Sequence, residues 1–176
     1  MVDATFIQAN SRPRKDPDDQ SDIDADHGHK GFGYSATANV DRKAKLVRKV
    51  VTTSERPHDS QNLEASLVGD ETEVFADSGY LGKEDMLEQR DIQAKIIKKR
   101  NRGKKGKPAP ELSLRDKYRN KLLSKLRAPV EHVFACWKIV FKAVRARYRG
   151  LERVNQQCQS LALAYNLRRY GFLCRA

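Results

Sequence analysis

Three acidic residues, Asp3, Asp77 and Glu131, could together perform metal-dependent chemistry on a phosphate. Asp77 ends an apolar run, Val74–Ala76, and is followed at once by the small residues Ser78 and Gly79. An acid at the end of a buried strand costs free energy unless a cation meets it. Asp3 lies in a second β-rich segment, so the two acids come close together if those strands are neighbours. Mg²⁺ suits such a pair, because it fills its other positions with water and substrate phosphate.

Glu131 is a single acid in a stripe of cations. When residues are placed at 100° per residue, Glu131, Lys138, Lys142 and Arg145 fall on one side of a predicted helix. Arg127 joins them if the helix extends back that far. The opposite side is a broad apolar arc of Leu123, Leu126, Val130, Val133, Phe134, Trp137, Val140, Phe141 and Val144. A solvated helix face with an internally paired glutamate has the same pattern, so the stripe indicates a site only if other acids join it.

The elements that must position these residues alternate between strands and helices. Strands are expected over residues 2–9, 32–41, 44–53, 72–77 and 92–99. Helices are expected over 54–69, with Ser54 or Asp59 as the cap, over 83–90, from Leu114 onward, and over 151–170. Pro129 either opens the third helix or kinks it. This order predicts an α/β domain.

Two polar segments divide the chain. Residues 10–31 are acidic and lack apolar periodicity, which indicates a long exposed loop. Residues 98–110 form a basic linker rich in Gly and Pro. We therefore predict an N-terminal part of the core at 1–97, carrying Asp3 and Asp77, the linker at 98–110, and C-terminal helices of the same core at 111–176, carrying Glu131.

Charge is distributed unevenly along the 176 residues. Residues 1–89 contain 11 Lys and Arg against 18 Asp and Glu, whereas residues 90–150 contain 20 against 4. The net charge of +12 indicates a polyanionic partner, most often nucleic acid. The division suits a protein that holds cations at one place and phosphates beside it, although an acidic loop and a basic tail would give the same totals.

Other function classes find little support in the sequence. There is no signal peptide and no apolar window long enough for a membrane helix. The three cysteines lack paired spacing, which indicates reduced thiols in a cytoplasmic protein. His27 and His29 could bind metal with neighbouring acids, but an exposed acidic loop explains them more simply because no matching ligand pair occurs elsewhere. His58 and Asp59 are explained more simply by helix capping through Asp59 than by a catalytic dyad.

The segments VDAT, FADSGY and RAPVEHVFACWK, in this order, resemble the DDE transposases of bacterial insertion sequences. The third segment matches the family signature Y-x2-R-x3-E-x6-K through Arg127, Glu131 and Lys138, and TTSERPHD and ARYRGL are also similar to the family. The resemblance covers nearly the whole chain. The signature tyrosine is replaced by Ser124.

The resemblance implies a ribonuclease-H-like mixed sheet flanked by helices, incomplete at its first strand. It implies a catalytic, metal-binding triad of Asp3, Asp77 and Glu131 with two Mg²⁺ or Mn²⁺ ions, and DNA transposition by strand cleavage and transfer. DNA-phosphate contacts would come from Arg127, Lys138, Lys142 and Arg145.

The expected partners are the transposon ends and the target DNA, with a dimer forming on DNA in the bacterial cytoplasm and nucleoid. Because family members usually carry a substantial N-terminal region, the chain is expected to be a C-terminal portion, with a separate N-terminal half as a further partner. Two alternatives stay open: a nucleic-acid-binding remnant without catalysis, and a stand-alone ribonuclease-H-like nuclease.

Overall fold

The computed structural model describes residues 1–11, 24–100 and 111–175, and within them the chain adopts an α/β fold. The strands are β1 (Val2–Gln8), β2 (Asp26–Gly28), β3 (Gly31–Val40), β4 (Val47–Ser54), β5 (Glu73–Ala76) and β6 (Gln93–Ile96). The helices are α1 (Leu63–Ser66), α2 (Glu84–Glu88), α3 (Leu114–Ala135) and α4 (Leu151–Leu173). The α/β class predicted from the sequence is confirmed.

Strand β3 is the centre of an antiparallel sheet. It pairs with β1 on one edge and with β2 and β4 elsewhere along its length. Its apolar residues Tyr34, Ala36, Ala38 and Val40 are fully buried and join a core built with α3 and α4. The alternating residues Ser35, Thr37 and Asn39 are also buried, so both faces of β3 are covered.

Two polar residues of β3, Ser35 and Asn39, bind the segment before and within α1, whereas the hydroxyl of Thr37 has no hydrogen-bond partner among the described residues. Ser35 donates a hydrogen bond from Oγ to Oδ1 of Asp59 (2.7 Å), and Asn39 donates to the carbonyl oxygen of Ser66 (3.1 Å). The predicted helix over 54–69 is shorter than expected: a 3₁₀ turn at Asp59–Asn62 leads into α1. His58 caps this turn, accepting from the amide of Ser60, so the prediction that Asp59 is the cap is wrong.

Strands β5 and β6 form a separate parallel pair. Val74 and Ala76 of β5 lie in a second apolar cluster with Leu63, Leu87 and Ile96. Val2 of β1 belongs to the same cluster and is fully buried. The cluster therefore places the beginning of β1 beside β5, which is where the acids of these two strands are expected to meet.

Helix α3 begins at a serine cap and ends earlier than the sequence predicts. Oγ of Ser113 accepts from the amide of Asp116 (3.1 Å), and Pro129 lies inside the helix rather than opening it. A π-helical turn, Cys136–Val140, follows directly. Lys142 then takes a left-handed backbone conformation with φ of 57°, so the predicted continuous helix through Arg145 is wrong.

The segment after the π-helical turn becomes an edge partner of β1 instead. The amide of Gln8 donates to the carbonyl oxygen of Val144 (3.0 Å), and the amide of Ala146 donates to that of Gln8 (2.8 Å). Backbone pairing with a distant strand has overridden the helical pattern. Val144, predicted on the apolar arc, is 55% exposed in this segment. Val140 in the π-helical turn and Leu126 in α3, predicted on the same arc, are exposed as well.

Helix α4 packs along the central sheet. Asp24 accepts from the amide of Leu151 (3.0 Å) and so satisfies one donor at the start of α4. The side chain of Asn166 binds both the amide and the carbonyl of Val47 at 2.8 Å each. Among the residues that the structure describes, no helix is both long and apolar enough to span a bilayer. Most of the predicted linker, residues 101–110, and residues 12–23 of the acidic loop lie outside the described residues.

Candidate active site

Asp3 and Asp77 meet on one guanidinium group. Nη2 of Arg127 lies 2.9 Å from Oδ2 of Asp3, and Nη1 lies 3.8 Å from Oδ1 of Asp77. The two acids come from different sheets, and the cation comes from α3. Arg127 is therefore a positive group that meets both acids, but the side chain of Asp77 is 51% exposed and is also solvated by water. Asp3 is the acid that depends more on Arg127.

The backbone fixes the direction of both carboxylates. Oδ1 of Asp3 accepts from the amide of Ala4 (2.9 Å), and Oδ1 of Asp77 accepts from the amide of Ser78 (2.6 Å). Asp77 caps a 3₁₀ turn at Ser78–Tyr80, which takes the chain away from the end of β5. A carboxylate oriented by a backbone donor loses little further freedom when it binds a cation.

Burial makes this ion pair sensitive to its surroundings. Arg127 is 5% exposed and its Nε has no hydrogen-bond partner among the described residues, while the side chain of Asp3 is 22% exposed. Burial raises the pKa of Asp3, the charge of Arg127 lowers it, and the charges of Asp77 and Glu131 raise it. The net shift of the Asp3 pKa is upward, because burial raises this pKa by more than the charge of Arg127 lowers it.

Glu131 lies one turn beyond Arg127 on α3 and is exposed. Its charge acts on the pKa of Asp3, so it belongs to the same electrostatic neighbourhood. Residues 127 and 131 lie four apart, which puts their side chains on the same helix face. We call Asp3, Asp77, Glu131 and Arg127 the acidic centre.

Two residues that were not assigned to the site from the sequence also belong to this region. Tyr80 is buried and its hydroxyl has no hydrogen-bond partner among the described residues. Burial raises its pKa, and the charges of Asp3 and Asp59 raise it further. Asp59 is therefore an additional acid near the centre, held by Ser35. The sequence interpretation considered Asp59 in a dyad with His58 and explained it as a helix cap instead.

The predicted cations that follow Glu131 lie in two different parts of the structure. Lys138 lies in the π-helical turn, where burial and the charge of Lys30 lower its pKa. Lys30 comes from the turn between β2 and β3, and no pattern in its polar segment marked it. Lys142 and Arg145 are exposed and lie beyond the helix, so they do not continue a helical stripe with Glu131.

The other metal hypothesis from the sequence, binding by His27 and His29 with neighbouring acids, is not supported by the contacts of the described residues. Asp26 accepts from the amide of His27 (3.0 Å), and the ring of His27 packs against Phe32, with centroids 5.1 Å apart. The carboxylate of Asp24 is at the start of α4. These contacts give each side chain a local structural role.

The donor chemistry of the acidic centre suits a divalent ion, since carboxylate oxygens are the ligands that Mg²⁺ and Mn²⁺ favour. Asp3 and Asp77 already converge on one positive group. Within the described ranges, however, no three acidic, histidine or cysteine side chains are gathered closely enough to ligate one ion. The donor types and two of the three positions fit, and Arg127 supplies the positive charge between them.

An acidic centre between two sheets, beside basic segments, defines a candidate site for metal-dependent chemistry on a polyanion. The family model described as a transposase DDE domain matches residues 1–167. The chain therefore belongs to the DDE transposase domain family, whose members normally use divalent metal ions. No solved structure matches the chain.

Proposed function

We propose that this chain is a transposase of a bacterial insertion sequence, of the group with the Y-x2-R-x3-E-x6-K signature, and that it cleaves and joins DNA at its acidic centre. The observation that carries the proposal is the convergence of Asp3 and Asp77 on Arg127, within the electrostatic reach of Glu131. Family membership supports the transposase part.

In this proposal Asp3, Asp77 and Glu131 hold two Mg²⁺ or Mn²⁺ ions, and the sheets form a ribonuclease-H-like core. Bound ions would activate the attacking hydroxyl and stabilise the leaving oxygen. Support for the core comes from the strand neighbours, since the cluster around Val2 and Val74 puts β1 between β3 and β5.

The chain's own residues prepare this reaction by position and charge. Arg127 keeps two repelling carboxylates together, and the amides of Ala4 and Ser78 orient them. The partners would be transposon ends and target DNA, with a dimer forming on the DNA. Lys138, Lys142 and Arg145 would contact its phosphates. Arg127 would join them only by leaving Asp3, because its guanidinium is buried.

The test is nicking of DNA by the purified chain with Mg²⁺, compared with Asp77→Ala and Glu131→Ala. We expect both variants to lose nicking by several orders of magnitude, while Glu152→Ala, an exposed acid on α4, retains it. If the wild type nicks and the Asp77 and Glu131 variants nick equally well, the assignment of the centre is wrong.

A DNA-binding protein without catalysis is the second candidate. The position of Arg127 favours it, because a buried guanidinium already neutralises the charge that an ion would otherwise meet. Salt-sensitive DNA binding with no Mg²⁺-dependent cleavage would support this candidate. A stand-alone nuclease is distinguished by cleavage with no joining of the 3′ end to a second duplex.

A further inference from the structure

A cavity of about 750 Å³ lies between the segment after the π-helical turn and the first half of α4. Its walls include Phe141, Arg147, Tyr148, Arg153 and Gln156. We call it the basic cavity. It is separate from the acidic centre, because the segment before Arg147 pairs with Gln8, five residues along β1 from Asp3, or roughly 16 Å at the rise of an extended strand.

The cavity carries positive charge that is not neutralised by its own walls. Among the described residues, two arginines line it and no acidic residue does. Neither guanidinium is within ion-pair distance of a carboxylate of this part of the chain, in contrast to Arg127. A pair of exposed arginines beside a concave wall attracts a phosphate, which both can bind through several N–H groups.

The remaining walls offer an aromatic surface and amide groups. Tyr148 is 51% exposed, while Phe141 is partly buried against the core. A half-exposed ring beside cations is the arrangement on which bases stack in single-stranded nucleic acid binding. Gln156 is exposed, so its amide is accessible to a base edge. The cavity volume lies within the range of pockets that bind small ligands of nucleotide size.

The cavity is also held in shape by the fold. The amide of Arg147 donates to Oε1 of Gln157 (2.8 Å), and Gln157 is buried on α4. The two backbone hydrogen bonds to Gln8 fix the same segment from the other side. Because the backbone of both walls is anchored, a ligand would meet a preformed wall rather than a loop that it must first order.

We infer that the basic cavity binds one unpaired nucleotide of a DNA strand, with its base against Tyr148 and its phosphate at Arg147 and Arg153. This inference rests on the proposed function for the identity of the partner. It adds a place where a strand is held apart from its complement, at a distance from the carboxylates. A base leaving the stack costs free energy that such stacking and ion pairing offset.

The first test measures binding of a fluorescein-labelled, single-stranded oligothymidylate by anisotropy at several salt concentrations. Tyr148→Ala should weaken binding about tenfold, and Tyr148→Phe should preserve it, because the stacking ring is retained. Arg147→Gln should lower the salt slope by about 0.7 for one lost phosphate contact on a single strand. Arg149→Gln is the matched control, since Arg149 is exposed in the same segment but does not line the cavity.

The second test locates the base by photocrosslinking the same oligonucleotide carrying 5-iodouracil, followed by mass spectrometry. The expected crosslink is at Tyr148, and the internal controls are Tyr118 and Tyr170, which are more exposed at 66% and 63%. Crosslinks that follow exposure alone, an Arg149→Gln effect equal to that of Arg147→Gln, or full competition by an equal concentration of free thymidine monophosphate would each overturn the inference.

Mg²⁺-dependent nicking, which tests the proposed function, is measured separately in the same protein preparations. If Mg²⁺-dependent nicking is intact and Tyr148 is not crosslinked, the cavity inference fails and the proposed function stands. If Tyr148 is crosslinked in both the wild type and Asp77→Asn while no nicking occurs, the cavity inference stands and catalysis fails.

Discussion

The acidic centre and the basic cavity differ in how the charges of their arginines are compensated. At the acidic centre, Arg127 is buried and its charge is matched by Asp3 and Asp77. At the basic cavity, Arg147 and Arg153 are exposed, and no acidic residue of the described ranges shares the walls. A buried charge must be compensated within the protein, because water is not there to solvate it. An exposed charge needs no internal partner and stays available to a ligand.

The difference teaches which arginines can be removed without harm to the fold. Arg127 connects α3 to β1 and to the end of β5, so it is a structural contact whatever else it does. The arginines of the basic cavity connect nothing by their side chains among the described residues. The following predictions test this contrast, beginning with the largest effect.

Removal of Arg127 should destabilise the protein strongly. Arg127→Ala leaves the carboxylate of Asp3 partly buried without its partner, which costs about 3 kcal/mol in the free energy of unfolding. Urea denaturation at neutral pH measures this loss. Lys125→Ala, an exposed change on the same helix, should alter stability by less than about 0.5 kcal/mol. Equal effects of the two variants would contradict the structural role of Arg127.

Added Mg²⁺ should stabilise the protein if the acidic centre holds the ion. At ten times its dissociation constant, a ligand that binds only the folded state adds about 1.4 kcal/mol. The melting temperature should therefore rise with Mg²⁺ in the wild type but not in Asp77→Asn. A sodium salt of equal ionic strength serves as the control for screening. A rise of the same size in both proteins would place the binding elsewhere.

The pH dependence of stability should become steeper without Arg127. The pKa of Asp3 is raised in the folded state, so the folded chain binds its proton more tightly than the unfolded chain. This contribution to stability is present below the ordinary carboxyl pKa and is lost as the pH rises through the raised value. Because the charge of Arg127 lowers the pKa of Asp3, Arg127→Ala should raise it further and enlarge the loss. An NMR titration that follows the carboxyl carbon of Asp3 would measure the shift of its pKa. An unchanged pKa of Asp3 in Arg127→Ala would contradict this prediction.

Removal of the cavity arginines should hardly affect stability. Arg147→Gln and Arg153→Gln break no ion pair among the described residues, so each should change the free energy of unfolding by less than about 0.5 kcal/mol. The same denaturation experiment compares them with Arg127→Ala. A loss of 2 kcal/mol or more, about the cost of breaking a buried contact, would show that these side chains are structural.

The sequence predicts local features of this fold well. The apolar run before Asp77 becomes β5, and Val154, Cys158 and Tyr165, which follow a three–four spacing in α4, are buried. These elements follow from periodicities that a short window contains. For α3, the apolar arc is right for the buried residues Leu123, Val130, Val133, Phe134 and Trp137.

What the sequence does not predict depends on distant partners. The arc wrongly includes Val144, because residues 144–146 pair with Gln8 at the other end of the chain. Leu126 and Val140 of the arc are also exposed. Arg127 falls on the predicted cationic side, yet it is buried. Its partner Asp3 is 124 positions away, so a short stretch of sequence does not reveal this ion pair. The same pairing with Gln8 positions the segment that leads to Arg147 and Tyr148 of the basic cavity. Asp3, Asp77 and Glu131 were selected from their residue types and positions and from the resemblance to the DDE transposase family. Their catalytic role stays a prediction.

The most direct test of the account is where a divalent ion binds. Substoichiometric Mn²⁺ broadens the NMR signals of nearby nuclei, and the account predicts broadening first at Asp3, Asp77 and Glu131. Asp77→Asn should weaken this effect, while the signal of Glu152, an exposed acid at the start of α4, should stay sharp. Broadening that begins at Glu152, or that leaves Asp3 and Glu131 unaffected, would contradict a shared metal site at the acidic centre.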